Sequence, residues 1–426
     1  MSAANLSASE ALARLHKRTL SSEDLVRACL SRIDERDSEI KAWVVIDRED
    51  ALAQARRIDG LRDRPPLCGL PVGIKDLIDT QDLPTTYGSP IYANHRPERD
   101  AECVRRLREA GAVILGKTVT TEFAVFSPGP TRNPRDPSRT PGGSSSGSAA
   151  AVADFMVPAA LGSQTAASVI RPGSFCGVVA MKPTFGRLPL EGVHPLAPSL
   201  DTLGVFAREV EDLRPILDAL GLPLAEDVPP LDPPRLGLCR TELWDRAEPS
   251  TRAAVEEAAA ALERAGAEVR EVDLGPSFRG LAEAQIAIMG AEACQSLPIE
   301  MSTRKADLTA RLWDFLREGA AVSPERLRKA REQAERCRNE LEHVFAHLDA
   351  VLTPAAIGEA PVGLGATGDP IFSRIWTLLH VPSVSVPVLE GPTGMPIGLQ
   401  LVADLGTDGR LIAAAKWIDE KLRPRR

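Results

Sequence analysis

The chain contains the stretch Pro141-Gly142-Gly143-Ser144-Ser145-Ser146-Gly147-Ser148-Ala149-Ala150-Ala151. Its composition alone would fit a flexible linker. However, it continues directly into an apolar, alanine-rich segment with no polar residues after it, so a linker at this point would lie inside the core. Glycines allow close approach of the backbone, and serines at the start of a helix can direct hydroxyl and N–H groups at a reacting oxygen. The pattern favours a catalytic loop.

A second cluster of small polar residues follows the predicted alanine-rich helix. Residues 162–168 read Gly-Ser-Gln-Thr-Ala-Ala-Ser. The same combination of glycine, hydroxyl groups and accessible backbone N–H groups therefore recurs about twenty residues further on. The second cluster therefore repeats the chemistry of the first after the predicted helix.

The surrounding sequence alternates between helical and strand-like patterns. A helical pattern ends at Gly111 and is followed by the apolar run 112–115, and residues 251–265 end at Gly266 before the strand-like run 268–274. Such alternation predicts an α/β fold with at least some parallel strands. Ser21 is predicted to cap an N-terminal helix, and Ser323 is predicted to cap a charged helix that runs to about residue 345. Strands at 383–388 and 396–403 precede a closing helix at 410–422.

Composition and charge exclude several classes of protein. The 426 residues carry 51 Lys and Arg against 59 Asp and Glu, a net charge of -8, so no general positive field attracts nucleic acid. No secretory signal and no apolar run long enough for a membrane span are visible. The seven cysteines are irregularly spaced and suit a reducing compartment. We therefore expect a soluble, cytoplasmic protein with no nucleic-acid or membrane partner.

Two further motifs give weaker evidence for a function, one for nucleotide binding and one for metal binding. Residues 111–118 match the pattern of a phosphate-binding loop, but the strand falls inside the motif and a helix precedes it, so we interpret Lys117 and Thr118 as the end of a core strand. His343 and His347 have the spacing of metal ligands but lack the glutamate of the usual zinc motif. We predict no metal and no cofactor, and a nucleotide-binding protein without enzymatic activity is the remote alternative.

Several short motifs together resemble the amidase signature family. They are residues 69–76 (GLPVGIKD), 133–140 (NPRDPSRT), the Gly/Ser stretch quoted above, Ser168 with the following Pro172, 175–177 (FCG) and 182–184 (KPT), 200–204 (LDTLG) and 394–400 (GMPIGLQ). The resemblance covers most of the chain and is weakest between about 223 and 347. It implies a large mixed β-sheet flanked by helices on both faces.

The resemblance also implies a mechanism. The family's catalytic lysine, its serine that follows a cis peptide bond and its nucleophilic serine carry over to Lys75, Ser144 and Ser168. A lysine has an ordinary pKa near 10.4, and burial lowers that pKa, so a buried Lys75 can act as a base through Ser144. The backbone N–H groups of Thr165, Ala166, Ala167 and Ser168 are predicted to form the oxyanion hole.

Two departures from the family pattern bear on specificity. Many members have Asp where this chain has Gln164, and Gly-Gly where it has Ala166-Ala167. The arginine after the nucleophile is Arg171, in a Ser-Val-Ile-Arg-Pro form that resembles the malonamidase-type branch. Arg171 and Gly143 are predicted to bind substrate, with Arg171 contacting a substrate carboxylate. The alternative for Arg171 is an internal salt bridge.

We therefore predict a single domain over 1–426, with a signature core at about 67–210, a variable substrate-pocket region at about 223–347, and C-terminal strands and a helix at 348–426. The predicted activity is hydrolysis of the C–N bond of a small, carboxylate-bearing linear amide through a Ser-cisSer-Lys triad and an acyl-enzyme. The alternative is a glutamine-amidase subunit of a tRNA-dependent amidotransferase. The predicted partner is a small-molecule amide, and a homodimer is left open.

Overall fold

One mixed sheet of eleven strands organises the protein. The structure, a computed structural model, describes residues 2–224, 231 and 233–423. The strands are β1 (Trp43–Val45), β2 (Pro71–Lys75), β3 (Val113–Thr118), β4 (Ala159–Gln164), β5 (Val179–Lys182), β6 (Thr202–Ala207), β7 (Arg235–Cys239), β8 (Glu268–Val272), β9 (Ala350–Pro354), β10 (Ser383–Glu390) and β11 (Pro396–Val402). Their order across the sheet is β1-β3-β2-β4-β6-β5-β10-β11-β9-β7-β8.

Parallel and antiparallel pairs are both present. Strand β2 runs parallel to β3 and β4, and β7 runs parallel to β8 and β9. The strands between these two groups pair in antiparallel fashion from β4 through β6, β5, β10 and β11 to β9. Each predicted helix-to-strand step connects a parallel pair. The expectation of an α/β fold with some parallel strands is confirmed.

The helices of the described residues connect and cover these strands. They are α1 (Ala8–His16), α2 (Ser22–Ile40), α3 (Arg48–Asp59), α4 (Glu102–Glu109), α5 (Ser146–Ala153), α6 (Ile170–Cys176), α7 (Leu213–Ala219), α8 (Pro249–Arg264), α9 (Leu281–Ser296), α10 (Pro298–Thr303), α11 (Ala310–Ala320), α12 (Pro324–Asn339), α13 (Leu341–Phe345), α14 (Ile371–Leu378) and α15 (Asp408–Leu422). None of the described helices is long and apolar enough to cross a membrane.

Buried side chains form two large clusters on opposite faces of the sheet. In β9, Ala350 and Leu352 pack in one cluster, whereas the intervening Val351 packs in the other. Successive side chains of a strand point to opposite faces, so this alternation shows that both faces are covered. The first cluster includes residues of α1–α5, α7, α8 and α15, and the second includes residues of α9, α11, α12 and α14. The predicted mixed sheet with helices on both faces is confirmed.

The predicted boundaries differ from the structure in a few places. Ser21 caps α2 by accepting a hydrogen bond from the N–H of Asp24, as expected. The helical N-terminal part is interrupted by the short edge strand β1. The charged helix predicted to run from Ser323 to about residue 345 is divided at Glu340 into α12 and α13. Half of the surface connection predicted at 222–235, residues 225–230 and 232, lies outside the described residues.

Gly147 fixes the position of α5 against the sheet. Its N–H donates to the carbonyl oxygen of Val119 at 2.9 Å. A Cβ atom at this position would lie 2.2 Å from the carbonyl oxygen of Ala42 and 2.3 Å from the backbone nitrogen of Val119. Both neighbours are backbone atoms and cannot move aside independently. Only glycine allows the helix to approach this closely.

We expect Gly147→Ala to lower the free energy of unfolding by about 2–4 kcal/mol, because the added methyl group overpacks a backbone contact. The measurement is the denaturant midpoint at an unchanged m-value. Gly365→Ala is the matched control, since no heavy atom lies within 4 Å of a Cβ added there. A Gly147→Ala variant as stable as this control would contradict the expectation.

Candidate active site

Lys75 is the last residue of β2 and is fully buried. Its Nζ donates to the Ser144 Oγ at 2.7 Å, to the Ser163 Oγ at 2.9 Å and to the Ser163 carbonyl oxygen at 3.3 Å. Strand β2 is an interior strand, and both faces of the sheet are covered there, so water does not reach the amine. The structure joins Lys75 to Ser144 as the sequence predicted.

Burial lowers the pKa of Lys75 to about 7, because the charged amine is removed from water. The carboxylate of Asp201 opposes this shift by stabilising the charged form. A lysine with this pKa is uncharged in about half of the molecules at pH 7. Lys75 can therefore accept a proton at neutral pH, which an exposed lysine cannot do.

Two other buried lysines show why Lys75 is distinctive. Burial also lowers the pKa of Lys117 to about 8 and that of Lys182 to about 7. Lys117, however, lies 3.5 Å from the carboxylate of Asp76, and Lys182 donates to the carbonyl oxygen of Pro183 at 2.7 Å. Lys117 also donates to the Thr85 hydroxyl at 2.6 Å, but of these three lysines only Lys75 has a hydroxyl partner that lines a cavity with Ser168, which makes it the one suited to activating a nucleophile.

Ser144 lies at the turn immediately before α5. The peptide bond between Gly143 and Ser144 is cis, as the resemblance implied. Gly142 has a φ of 81°, a left-handed conformation that favours glycine, and a Cβ there would lie 2.9 Å from the Cα of Pro172. The carbonyl oxygen of Ser144 accepts a hydrogen bond from the N–H of Thr121 at 3.2 Å. The loop is thus fixed on both sides of the hydroxyl.

Ser168 lies between β4 and α6 and is 8% exposed. Its carbonyl oxygen accepts a hydrogen bond from the N–H of Ser145 at 3.4 Å, which links the two small-residue clusters. Ser144 and Ser168 line the same narrow cavity. Among the described residues no hydrogen bond joins their two hydroxyls. The structure therefore brings the two serines to one cavity. The hydrogen bond that would pass a proton from Ser168 to Ser144 is not formed in it.

The segment before Ser168 is held through its carbonyl groups. Gln285 of α9 donates from Nε2 to the carbonyl oxygen of Thr165 at 2.8 Å, and Thr377 of α14 donates from Oγ1 to that of Ala166 at 2.8 Å. Within the described part of the chain, the N–H groups of residues 165–168 donate to no backbone or side-chain acceptor. These N–H groups remain available to an oxyanion.

Gln164, where many family members have Asp, has a structural function here. Its Oε1 accepts hydrogen bonds from the N–H groups of Val169 and Ile170 at 2.9 and 3.1 Å, and its Nε2 donates to the Thr377 Oγ1 at 3.0 Å. A neutral amide thus accepts at the start of α6, where a carboxylate would also serve, and it adds a donor that a carboxylate lacks.

Arg171 lines the cavity and is 3% exposed. Its Nη1 donates to the carbonyl oxygen of Gly368 at 2.7 Å, and its Nη2 donates to that of Gly143 at 2.6 Å and to the Thr367 Oγ1 at 3.2 Å. No carboxylate of the described residues lies within 4 Å of this guanidinium, so the internal salt bridge, one of its two predicted roles, does not form. Gly143 therefore contacts Arg171 through its carbonyl oxygen.

The cavity beside Ser168 is narrow. The space left in it, about 10 Å³ at the positions open to a water centre, suits roughly one water molecule. Its walls comprise residues of the 121–126 segment, Met289 of α9, and Thr367 and Pro370 before α14. From the region at 223–347 that was predicted to line the pocket, Met289 is the residue that contributes.

The 111–118 motif and the pair of His343 and His347 both lie in or beside regular secondary structure. Strand β3 begins inside the 111–118 motif, and Lys117 is buried with Asp76, so the interpretation as a core strand is confirmed. His343 lies in α13 and His347 follows that helix. Among the described residues, no group of three or more His, Cys, Asp or Glu side chains could hold a metal ion.

Sequence reasoning missed two residues that contact the catalytic set. Ser163 bonds Lys75, and Asp201 accepts a hydrogen bond from the Thr165 hydroxyl while its charge acts on Lys75. Both belong to motifs that carried the resemblance or lay beside it, at 162–168 and 200–204. A polar residue inside an otherwise apolar strand pattern was the available signal for Ser163.

Comparison with known proteins identifies the family of this chain. The family model for Amidase matches residues 24–412. The chain belongs to the amidase family. It is therefore an enzyme that hydrolyses C–N bonds, and the predicted relay, acyl-enzyme and oxyanion hole are consistent with this family.

Individual amidase relatives align over nearly the whole chain. A Glutamyl-tRNA(Gln) amidotransferase subunit of Koribacter versatilis is 33% identical over 465 aligned residues, covering 96% of each chain. A solved structure from a vestigial protein complex connected with the evolutionary origins of an s-triazine catabolic enzyme has a TM-score of 0.90 at 30% identity, covering 99% of this chain and 100% of that one. The native peptide amidase from Stenotrophomonas maltophilia has a TM-score of 0.85 at 29% identity, covering 99% and 98%.

The pKa of Lys75 predicts the pH dependence of this amidase. We expect kcat/KM to fall about tenfold per pH unit below about pH 7, because protonated Lys75 cannot accept a proton. Asp201→Asn removes the carboxylate that favours protonated Lys75, so we expect the acid limb to move to lower pH. Asp314→Asn on the surface is the matched control and should leave the limb in place. An acid limb that moves to higher pH in Asp201→Asn would contradict this assignment.

Proposed function

We propose that this amidase cleaves the C–N bond of a small linear amide, with Lys75 as the base, Ser144 as the proton relay and Ser168 as the nucleophile. The observation that carries the proposal is the 2.7 Å hydrogen bond from a fully buried lysine to Ser144, beside a cavity that Ser144 and Ser168 share. Each residue type supplies what nucleophilic catalysis requires.

The acylation half-reaction begins with two linked proton transfers. Uncharged Lys75 takes the hydroxyl proton of Ser144 as Ser144 takes that of Ser168, and the Ser168 oxygen bonds to the amide carbonyl carbon. The carbonyl oxygen becomes negatively charged and is stabilised by the N–H groups of residues 165–168, at about 3–4 kcal/mol per donor in comparable hydrolases. The C–N bond then breaks, and the proton held by Lys75 returns through Ser144 to the departing nitrogen.

The second half-reaction restores the enzyme. A water molecule loses its proton through the same relay and attacks the ester carbonyl on Ser168. The ester C–O bond breaks, Ser168 regains its proton, and a carboxylic acid is released. The products are one carboxylic acid and ammonia or an amine, and no cofactor takes part in these steps.

The narrow cavity and Arg171 support a small substrate that carries a carboxylate. The narrowness of the cavity beside Ser168 favours a compact acyl group over a long one. Arg171 lines that cavity as a buried cation without a carboxylate partner among the described residues, which is the electrostatic environment that an anionic substrate group would complement. The resemblance of residues 168–172 to the malonamidase-type branch agrees with this substrate class.

The relatives favour a second candidate function. The curated relative reported above and others at 31–35% identity are named as subunits of a Glutamyl-tRNA(Gln) amidotransferase, which supports the predicted alternative of a glutamine-amidase subunit. Glutamine is itself a small primary amide with a carboxylate, so the two candidates require the same chemistry at Ser168. They differ in the acyl group and in the need for a partner.

Ammonia release distinguishes the two candidates. The purified chain is incubated with glutamine and with monoamides of small dicarboxylic acids, and the Ser168→Ala variant serves as the blank. We expect activity on the monoamides by the chain alone. Preferential cleavage of glutamine that appears only with a partner subunit would favour the amidotransferase function, and ammonia release that persists in the blank would refute the proposed nucleophile.

We also propose that the chain forms one domain. The strands that carry Lys75 and precede Ser168 belong to the same sheet as β7–β11 from the second half of the sequence. Antiparallel pairing of β5 with β10 joins the two halves at the middle of that sheet. Limited proteolysis is expected to give no stable fragment that ends near residue 222.

A further inference from the structure

A second buried arginine lies close to the catalytic cavity. Arg374 is on α14 and is 7% exposed, and its Nη1 donates to the Gln285 Oε1. In the described ranges, no other hydrogen bond and no ion pair within 4 Å involves this side chain. A guanidinium has five N–H donors, so most of those of Arg374 remain unused.

Arg374 does not itself line the cavity, but residues one helical turn from Arg374 and from its partner Gln285 do. Arg374 follows Pro370 by about one helical turn, and its partner Gln285 precedes Met289 by one turn of α9. Pro370 and Met289 both line the cavity that contains Ser168. The guanidinium therefore lies between the two helices that form the outer wall of this cavity.

Arg171 and Arg374 are neighbouring buried cations, and the carboxylates that act on them, Asp369 on both and Glu283 on Arg374, do so from beyond ion-pair distance. Burial lowers the pKa of Arg171 to about 9 and that of Arg374 to about 10, and the charge of Arg374 contributes to the shift of Arg171. Asp369 acts on both arginines from a distance, but its carboxylate pairs with Arg246 at 3.3 Å. Two buried cations without an ion-pair partner among the described residues are costly, and an anion between them would reduce that cost.

We propose that Arg374 is a specificity-determining residue, and that with Arg171 it forms a subsite for the carboxylate of the substrate. The planar guanidinium presents donors in a fork that matches a carboxylate. Arg171 uses its Nη groups on the carbonyl oxygens of Gly368 and Gly143 and keeps only its buried Nε without a partner, so Arg374 has more unused donors for this contact. The inference rests on the proposed amide hydrolysis and assigns the recognition of charge to a residue that the sequence did not suggest.

Arg374 also has a structural contact that the test must separate from recognition. It holds Gln285, which in turn holds the carbonyl oxygen of Thr165 in the predicted oxyanion segment. A residue that only positioned this segment would affect charged and neutral amides equally. A residue that binds a carboxylate would affect the charged amide selectively.

The first experiment compares two amides of equal size, succinamate and succinamide, in the wild type, Arg374→Gln and Arg374→Lys. We expect Arg374→Gln to lower kcat/KM for succinamate at least about 30-fold more than kcat/KM for succinamide, with partial recovery of this difference in Arg374→Lys. Arg317→Gln on the surface of α11 is the matched control and should change neither value. Equal losses for both amides would overturn the proposal and leave Arg374 as a positioning residue.

The second experiment measures binding without catalysis. Calorimetry follows succinate and, separately, glutamine added to Ser168→Ala and to the Ser168→Ala/Arg374→Gln double variant. We expect Arg374→Gln to weaken binding of at least one of these carboxylates about 100-fold, and the tighter ligand identifies the source of the carboxylate. Equal affinities in both variants would overturn the subsite.

These measurements also separate the subsite from the proposed function. If no amide is hydrolysed but succinate or glutamine binding depends on Arg374, the proposed function fails and the subsite stands. If the wild type hydrolyses succinamide as well as succinamate and Arg374→Gln changes neither, the subsite fails and amide hydrolysis stands. Thermal unfolding of each variant shows whether it is folded, and Arg374→Lys retains the charge if Arg374→Gln is unstable.

Discussion

Ser168→Ala is expected to lower kcat at least about 10⁴-fold on every amide that the wild type hydrolyses, with little change in KM. The substitution removes the attacking oxygen and leaves the predicted oxyanion donors and the cavity in place. Residual rates after loss of a catalytic serine in other hydrolases come from such remaining groups. The measurement is steady-state ammonia release. Mass spectrometry establishes that the variant preparation contains no wild-type protein.

Ser302→Ala is the matched control for this variant, because Ser302 is an exposed serine whose hydroxyl donates to the carbonyl oxygen of Ile299. We expect it to retain wild-type kcat. An acyl-enzyme trapped with a slowly hydrolysed ester should add its mass to the peptide that contains Ser168. Retention of more than about 1% of wild-type kcat in Ser168→Ala would show that another group attacks the amide.

Lys75→Met has the second largest expected effect. We expect kcat to fall about 10³- to 10⁴-fold, because Ser144 loses the group that accepts its proton. Methionine fills most of the volume of the lysine stem and carries no base. Lys329→Met, which removes an exposed lysine of α12, is the matched control and should retain wild-type kcat. Activity of Lys75→Met within tenfold of the wild type would refute the relay.

Lys75→Met also has an expected effect on stability, opposite to that on activity. The pKa of Lys75 is about 7 in the folded protein and ordinary in the unfolded chain, so the unfolded chain binds more protons between these two values. The buried lysine therefore destabilises the folded protein fully below about pH 7, and this cost disappears as the pH rises towards the ordinary lysine pKa. We expect Lys75→Met to unfold at a higher temperature than the wild type at pH 6, and the difference to shrink at pH 10.

The sequence could suggest the proposed catalytic residues because each belongs to a short motif with a local conformation. Lys75 ends an apolar strand pattern, Ser144 follows two glycines, and Ser168 follows a run of small residues. The sequence Gly-Gly indicates a turn with a positive φ, which Gly142 adopts. The alanines that follow indicate a helix, and α5 begins after Ser145. Patterns of this kind depend on the backbone of a few consecutive residues, so one sequence contains the necessary information.

The supporting contacts were not predictable in the same way. Lys75 meets Ser163 across 88 residues of sequence, and Gln285 meets Thr165 across 120. The first contact depends on the parallel pairing of β2 with β4, and the second depends on how α9 packs over the end of β4. No local pattern specifies either arrangement. Arg171 shows the same limit, since its predicted partners were carboxylates and its observed partners are two carbonyl oxygens and a threonine hydroxyl.

The two walls of the cavity come from different parts of the chain. The inner wall, with both serines, is built from the segments that follow β3 and β4, whereas the outer wall includes Met289 of α9 and the segment from Thr367 to Pro370 before α14. Variation in the outer wall can therefore change which acyl group is accepted while the proton relay keeps its geometry. A mutant library restricted to Met289, Thr367, Pro370 and Arg374 would select for new substrates while the proposed catalytic residues stay unchanged. This separation of substrate selection from catalysis makes the fold a practical starting point for directed evolution.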